Sequence, residues 1–167
     1  YRTSVAQGVT ELVADIDPGG GSSWPGPLVV FNGELFFAAD DGQSGVELWK
    51  SDGTVAGTVL VSDIRAGAQS SHPQELTVVG NTLYFTQGLT PDQLWKTDGT
   101  TAGTEMVIDI VPGLVDLIGE LTAFNGELFF QANDNTSGGE LWKSDGTAAG
   151  TVMVKDINPG APGSFPQ

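Results

Sequence analysis

The residues best equipped for chemistry in this chain are oxygen-bearing ones gathered in two matching loops. Asp40-Asp41-Gly42-Gln43-Ser44-Gly45-Val46-Glu47 aligns with Asn133-Asp134-Asn135-Thr136-Ser137-Gly138-Gly139-Glu140, so carboxylates, amides and hydroxyls cluster where glycine lets the backbone bend. A hard cation such as calcium collects about six to eight oxygens from loops of this kind. The candidate ligands are therefore Asp40, Asp41, Glu47, Asn133, Asp134 and Glu140, with calcium as the candidate cofactor. Their spacing is not that of an EF-hand, and an acidic loop bathed in solvent is the competing reading. The corresponding stretch Gln87-Gly88-Leu89-Thr90-Pro91-Asp92 offers fewer ligands.

A second set of carboxylates recurs in step. Asp52-Gly53, Asp98-Gly99 and Asp145-Gly146 each place an acid before glycine, where it accepts hydrogen bonds from backbone N–H groups just ahead in a tight turn. Turn architecture suits them better than catalysis. The same holds for Asp15, Asp63, Asp109 and Asp156, each followed by Ile at the end of a strand, because a catalytic group has no need to recur in every copy. Exposed Trp49, Trp95 and Trp142 would stack on sugars, but their place beside leucine in a strand favours packing. Other catalytic material is thin: one histidine, His72, no cysteine, no Gly-x-Ser-x-Gly, no phosphate-binding loop and no histidine pair for zinc. An enzyme would have to use residues that do not recur, of which Arg65, His72 and Asp116 are the candidates.

The elements that position these groups are dictated by repetition. Leu48-Trp49-Lys50-Ser51-Asp52-Gly53-Thr54 returns at 94–100 and at 141–147, with tryptophan spacings of 95 − 49 = 46 and 142 − 95 = 47. Ahead of each lies a block such as Phe31-Asn32-Gly33-Glu34-Leu35-Phe36-Phe37, and behind each an Asp-Ile pair. Asn32-Gly33 and Asn125-Gly126 are two-residue hairpin turns, since both residue types tolerate positive φ. Each copy therefore reads as four short strands, near 28–31, 34–39, 46–51 and 58–64 in the first, with no sustained helical period. Adjacent bulky rings, Phe36-Phe37, Tyr84-Phe85 and Phe129-Phe130, point to opposite faces of one strand, which predicts burial on both faces.

Four-stranded sheets with two apolar faces want a neighbour on each side, as the blades of a β-propeller do. The expected fold is all-β, a propeller-like array of four-stranded antiparallel blades in about three and a half repeats of 46–47 residues. Residues 1–26 are a partial repeat, followed by repeats at 27–72, 73–118 and 119–167. Propellers close with about four to eight blades. Blades from other copies, or from a longer parent chain, are thus expected to complete the ring.

The three Leu-Trp-Lys-Ser/Thr-Asp-Gly-Thr copies, two of them preceded by Glu47 or Glu140 and all followed by Ala-Gly-Thr, resemble the ELWxxDGT repeats of bacterial secreted and cell-surface proteins. Gln93 departs from the motif, and Tyr1–Gln7 lacks its Asp-Gly. The resemblance implies an extracellular or cell-surface, propeller-like protein, and it brings no catalytic residues with it.

Charge narrows the partners. With 21 acidic against 6 basic side chains the net charge is −15, which repels nucleic-acid phosphates and anionic lipid. No apolar run reaches the roughly 20 residues needed to insert across a bilayer. The expected function is a non-enzymatic binding or structural scaffold, self-associating, with a glycan or protein ligand at its variable loops. The alternative is a polysaccharide hydrolase or lyase with its site at a central opening.

Overall fold

A computed structural model describes residues 2–3, 10–88, 93–111, 118–160 and 163–164. Among these residues all regular structure is β. Short strands β1 (Arg2–Thr3) and β2 (Thr10–Glu11) pair with each other. The first four-stranded sheet comprises β3 (Val29–Phe31), β4 (Glu34–Asp40), β5 (Val46–Ser51) and β6 (Val59–Ser62). The second comprises β7 (Pro73–Val79), β8 (Thr82–Gln87), β9 (Gln93–Thr97) and β10 (Glu105–Ile108). The third comprises β11 (Gly119–Phe124), β12 (Glu127–Asn133), β13 (Gly139–Ser144) and β14 (Val152–Lys155). Each sheet is an antiparallel meander with its strands in chain order. The chain divides into two compact units, residues 1–71 with the first sheet and residues 72–167 with the other two.

Local chemistry sets the hairpins. Asn32 and Gly33 take φ of 50° and 82°, and Asn125 and Gly126 take 51° and 81°, so both turn residues occupy the left-handed region that these two types tolerate. The turn register puts Phe37 opposite Trp49, Phe85 opposite Trp95 and Phe130 opposite Trp142. The first strand of the second and of the third sheet is kinked at one place. The register slips between Gln74 and Thr77 and between Gly119 and Thr122, with Glu75 and Glu120 at φ of 54° and 59°. In the first sheet Gly26 N donates to Ala38 O at 2.8 Å, one residue out of step with the Val29–Phe36 pairing. The β-bulge bends the first strand of the second and third sheets the same way.

Packing follows the alternation of side chains. In the first unit Phe37, Ala39 and Trp49 form one buried face with Ile16, Leu35 and Leu60 against it. In the second unit Val79, Tyr84 and Leu94 of one sheet share a core with Leu121, Leu128, Phe130 and Ala132 of the other, and Thr77 Oγ1 donates to Leu121 O at 3.0 Å. Burying an aromatic or leucine side chain contributes about 1.5–3 kcal/mol, so this sheet-on-sheet contact stabilises the second unit. The expectation of two buried faces holds for Phe36-Phe37 and Tyr84-Phe85. It fails in the third sheet, where Phe130 is buried but Phe129 is only half-buried and Phe124 beside it is exposed.

Candidate functional site

The recurring Asp-Gly-Thr segment closes on itself. Asp52 Oδ1 accepts from Thr54 N at 2.9 Å and from Thr54 Oγ1 at 2.7 Å, and Gly57 N donates to Thr54 Oγ1 at 3.0 Å. Thr58 Oγ1 donates to Thr54 O at 2.7 Å and meets Ser51 Oγ at 2.8 Å, while Gly53 N donates to Ser51 Oγ at 3.1 Å. The same network rebuilds around Asp98, with Thr97, Thr100 and Thr104, and around Asp145, with Ser144, Thr147 and Thr151. In all three turns the threonine hydroxyl, then its amide, holds the aspartate below its ordinary pKa. The glycine of Ala-Gly-Thr is forced by the same geometry. A Cβ on Gly57, Gly103 or Gly150 would fall onto the carboxylate of Asp52, Asp98 or Asp145.

Glu47 and Glu140, the expected ends of the two oxygen-rich loops, are fully buried on strands β5 and β13. Each clasps the linker that follows its own sheet. Glu47 Oε1 accepts from Ser71 N at 2.9 Å, and Oε2 accepts from Ser71 Oγ at 2.6 Å and Ile64 N at 3.1 Å. Glu140 Oε2 accepts from Ser164 Oγ at 2.5 Å and Ile157 N at 3.2 Å. Burial pushes Glu47 above its ordinary pKa despite these donors, whereas the Ser164 hydroxyl holds Glu140 below it. In the middle repeat Gln93 does something different. Its Nε2 donates to Asp109 Oδ2 at 3.1 Å and its Oε1 accepts from Trp95 Nε1 at 3.2 Å.

The remaining loop oxygens organise their own turns. Asp40 Oδ1 accepts from Gly42 N at 2.8 Å, and Asn133 Oδ1 accepts from Asn135 N at 2.8 Å. Asp41 Oδ1 takes Gln43 N at 2.9 Å and Ser44 N at 2.6 Å, and Asp134 Oδ1 takes Thr136 N and Ser137 N at 2.9 and 2.7 Å. Burial raises both aspartates, but their hydrogen bonds together outweigh it and leave each below its ordinary pKa. Among the described residues no three His, Cys, Asp or Glu side chains converge as a metal-binding group.

Trp49 is buried, and Trp95 and Trp142 are half-buried, with Trp95 stacked on Phe85 at 6.4 Å. His72 and Arg65 are half-buried, His72 at a left-handed φ of 47°, while Asp116 lies outside the described residues. Asp63 Oδ2 accepts from Gly67 N at 3.2 Å, which places the Asp-Ile carboxylate on its linker. Two roles escape the motif when it is read alone. One is the Ser/Thr pair that closes each turn across seven residues; the other is the glutamate–serine clasp, whose signal is the recurrence of Ser-x-Pro at 71–73 and 164–166. The motif lysines form cross-strand ion pairs, Lys50 with Glu34 at 3.0 Å and Lys143 with Glu127 at 2.9 Å. Where Thr82 replaces that glutamate, Lys96 pairs with Glu105 at 3.0 Å and also donates to Gly146 O at 2.8 Å. Compared with known proteins, the chain matches no family model and no curated relative.

Proposed function

We propose that this chain is a non-enzymatic extracellular or cell-surface repeat module, a scaffold whose four-stranded sheets are propeller-type blades and whose non-recurring loops meet a glycan or protein ligand. The observation behind this reading is the use made of the recurring polar residues. Asp52, Asp98 and Asp145 each accept hydrogen bonds from the threonine two residues on, and Glu47 and Glu140 from the linkers that follow their sheets. A motif built into every blade in this way serves the architecture, and recognition falls to what differs between blades. Self-association, or a longer parent chain, belongs to the same reading, because a run of blades offers an unpaired face at each end.

A panel of polysaccharides assayed for cleavage with the unaltered chain, Arg65→Ala and His72→Ala tests it. The expected result is no turnover by any of the three. Turnover that either substitution abolishes would overturn the scaffold reading in favour of a polysaccharide hydrolase or lyase.

A further inference from the structure

The motif lysines hold equivalent places in the three sheets but do not make equivalent bonds. Lys50 donates to Glu34 at 3.0 Å and Lys143 to Glu127 at 2.9 Å, each across its own sheet. In the second sheet the place of that glutamate is taken by Thr82, which carries no charge to hold an ammonium group. Lys96 is left with Glu105, a 63% exposed carboxylate at 3.0 Å, and an ion pair so open to water contributes little. Its other bond leaves the sheet: Nζ donates to Gly146 O at 2.8 Å, in the turn of the third sheet.

The acceptor suits this use. The turn's own network takes Ser144 Oγ, Asp145 Oδ1 and Thr147 O as acceptors, which leaves Gly146 O for a donor from outside the turn. Glycine also lets the second sheet come close. The Tyr84 hydroxyl fills the space where a Cβ on Gly146 would stand, whereas the same place beside Gly99 is open. Tyr84 is buried, and Thr77 Oγ1 donates across the same junction to Leu121 O at 3.0 Å. Burial, then the Asp145 charge, push the Tyr84 phenol above its ordinary pKa. Asp145 is held low first by the Thr147 hydroxyl and amide, and the charge of Lys96 acts in the same direction.

We infer that Thr82 is the residue that releases Lys96 from its own sheet, and that Lys96 with Tyr84 recognises the Asp-Gly-Thr turn of the third sheet as a docking element. The turn then has an outward role beside its self-closing one. It presents a backbone carbonyl, next to a carboxylate and with no side chain in the way, to a cationic donor on the preceding sheet. In the first and third sheets a glutamate at the position of Thr82 holds the lysine within the sheet. One exchange, glutamate for threonine, thus decides whether the motif lysine bonds within a sheet or between sheets. A bond donated by an ammonium group is stronger than one between neutral groups, so the exchange sets how firmly the two sheets are joined. The inference stands on contacts inside the second unit, and it holds whether or not the sheets form a propeller or meet a ligand.

Amide hydrogen exchange of the full chain reads this junction, with the strands of the first sheet as internal reference. Lys96→Met is expected to quicken exchange in β7 and β11 by about tenfold or more and to leave β3–β6 unchanged. Lys96→Arg, which keeps a cationic donor, is expected to recover most of the protection. Thr82→Glu is the more telling variant, because Lys96 stays in place. The introduced carboxylate draws the ammonium group back across the sheet, so β7 and β11 are expected to exchange faster although the chain has gained an ion pair. Combining Thr82→Glu with Lys96→Met adds little to either, since both remove the same bond. Circular dichroism verifies folding, with Lys96→Gln in reserve if Lys96→Met fails to fold. Exchange unaltered by Thr82→Glu, effects that add in the double variant, or a Lys96→Met that quickens the first sheet as much as β7 and β11 would overturn the inference.

Discussion

At the scale of single residues, the three turn aspartates and Glu47 answer to pH with opposite sign. Asp52, Asp98 and Asp145 have folded pKa values below the ordinary one, because threonine donors favour the charged form. Their stabilisation is present above the ordinary carboxylate range and is lost as pH falls through the folded values. Glu47 is raised by burial, so its charged form costs stability that sets in as pH climbs from the ordinary range through the folded value. Ser71 Oγ, at 2.6 Å, donates to that charged form. Ser71→Ala is therefore expected to destabilise the chain by about 1–3 kcal/mol near neutral pH, and by less in acid, where Glu47 takes up a proton. Urea denaturation at pH values above and below the ordinary glutamate range measures the difference. A loss independent of pH would place the hydroxyl's importance elsewhere, in its weaker contact with Val46 O at 3.4 Å.

At the scale of elements, two kinds of glycine separate cleanly. Gly126 sits at φ 81° with open space where a Cβ would go, so only its backbone conformation demands glycine. Gly150 is outside the left-handed region, but a Cβ there would collide with the Asp145 carboxylate and dislodge its hydrogen bonds to Thr147. Alanine at Gly126 is expected to cost about 1–2 kcal/mol, and asparagine far less, because asparagine tolerates positive φ as Asn125 does next to it. At Gly150 both substitutions are expected to cost about 1–3 kcal/mol, with no rescue by asparagine. Thermal melts of the four variants check this, and rescue at Gly150 would show that the turn does not depend on the carboxylate.

The same contrast marks what the sequence made legible. Asn-Gly turns and paired rings are local signals, and the strands fall where they placed them, at 29–31, 34–40, 46–51 and 59–62 in the first sheet. Glu47 reads as the last oxygen of a loop because its sequence neighbours are polar. In the fold it lies on a strand and faces a serine 24 residues away. No local pattern encodes that distance, and only the repeat of Ser-x-Pro after each glutamate-bearing copy hints at it. The half-open third sheet was equally hidden, since Phe129-Phe130 reads like Phe36-Phe37 and exposure depends on what packs above it.

For the whole molecule, charge outweighs every other feature of composition. A formal −15 on 167 residues, with 6 basic side chains to offset it, makes the folded chain repel itself more than its expanded unfolded state does. Screening should relieve this, so the melting temperature is expected to rise with ionic strength. Calcium divides general screening from a bound ion. Asp41 and Asp134 already accept two backbone amides each through one oxygen, which holds their loops without a metal. Calcium and sodium salts at matched ionic strength are accordingly expected to raise the melting temperature by similar amounts, and a chelator to leave it unchanged. A site that binds only the folded state adds RT ln(1 + [L]/Kd), a stabilisation that grows with calcium and has no counterpart in sodium. An extra rise confined to calcium and removed by Asp41→Asn together with Asp134→Asn would therefore place the ion in the two loops, and would make metal binding part of what these repeats do.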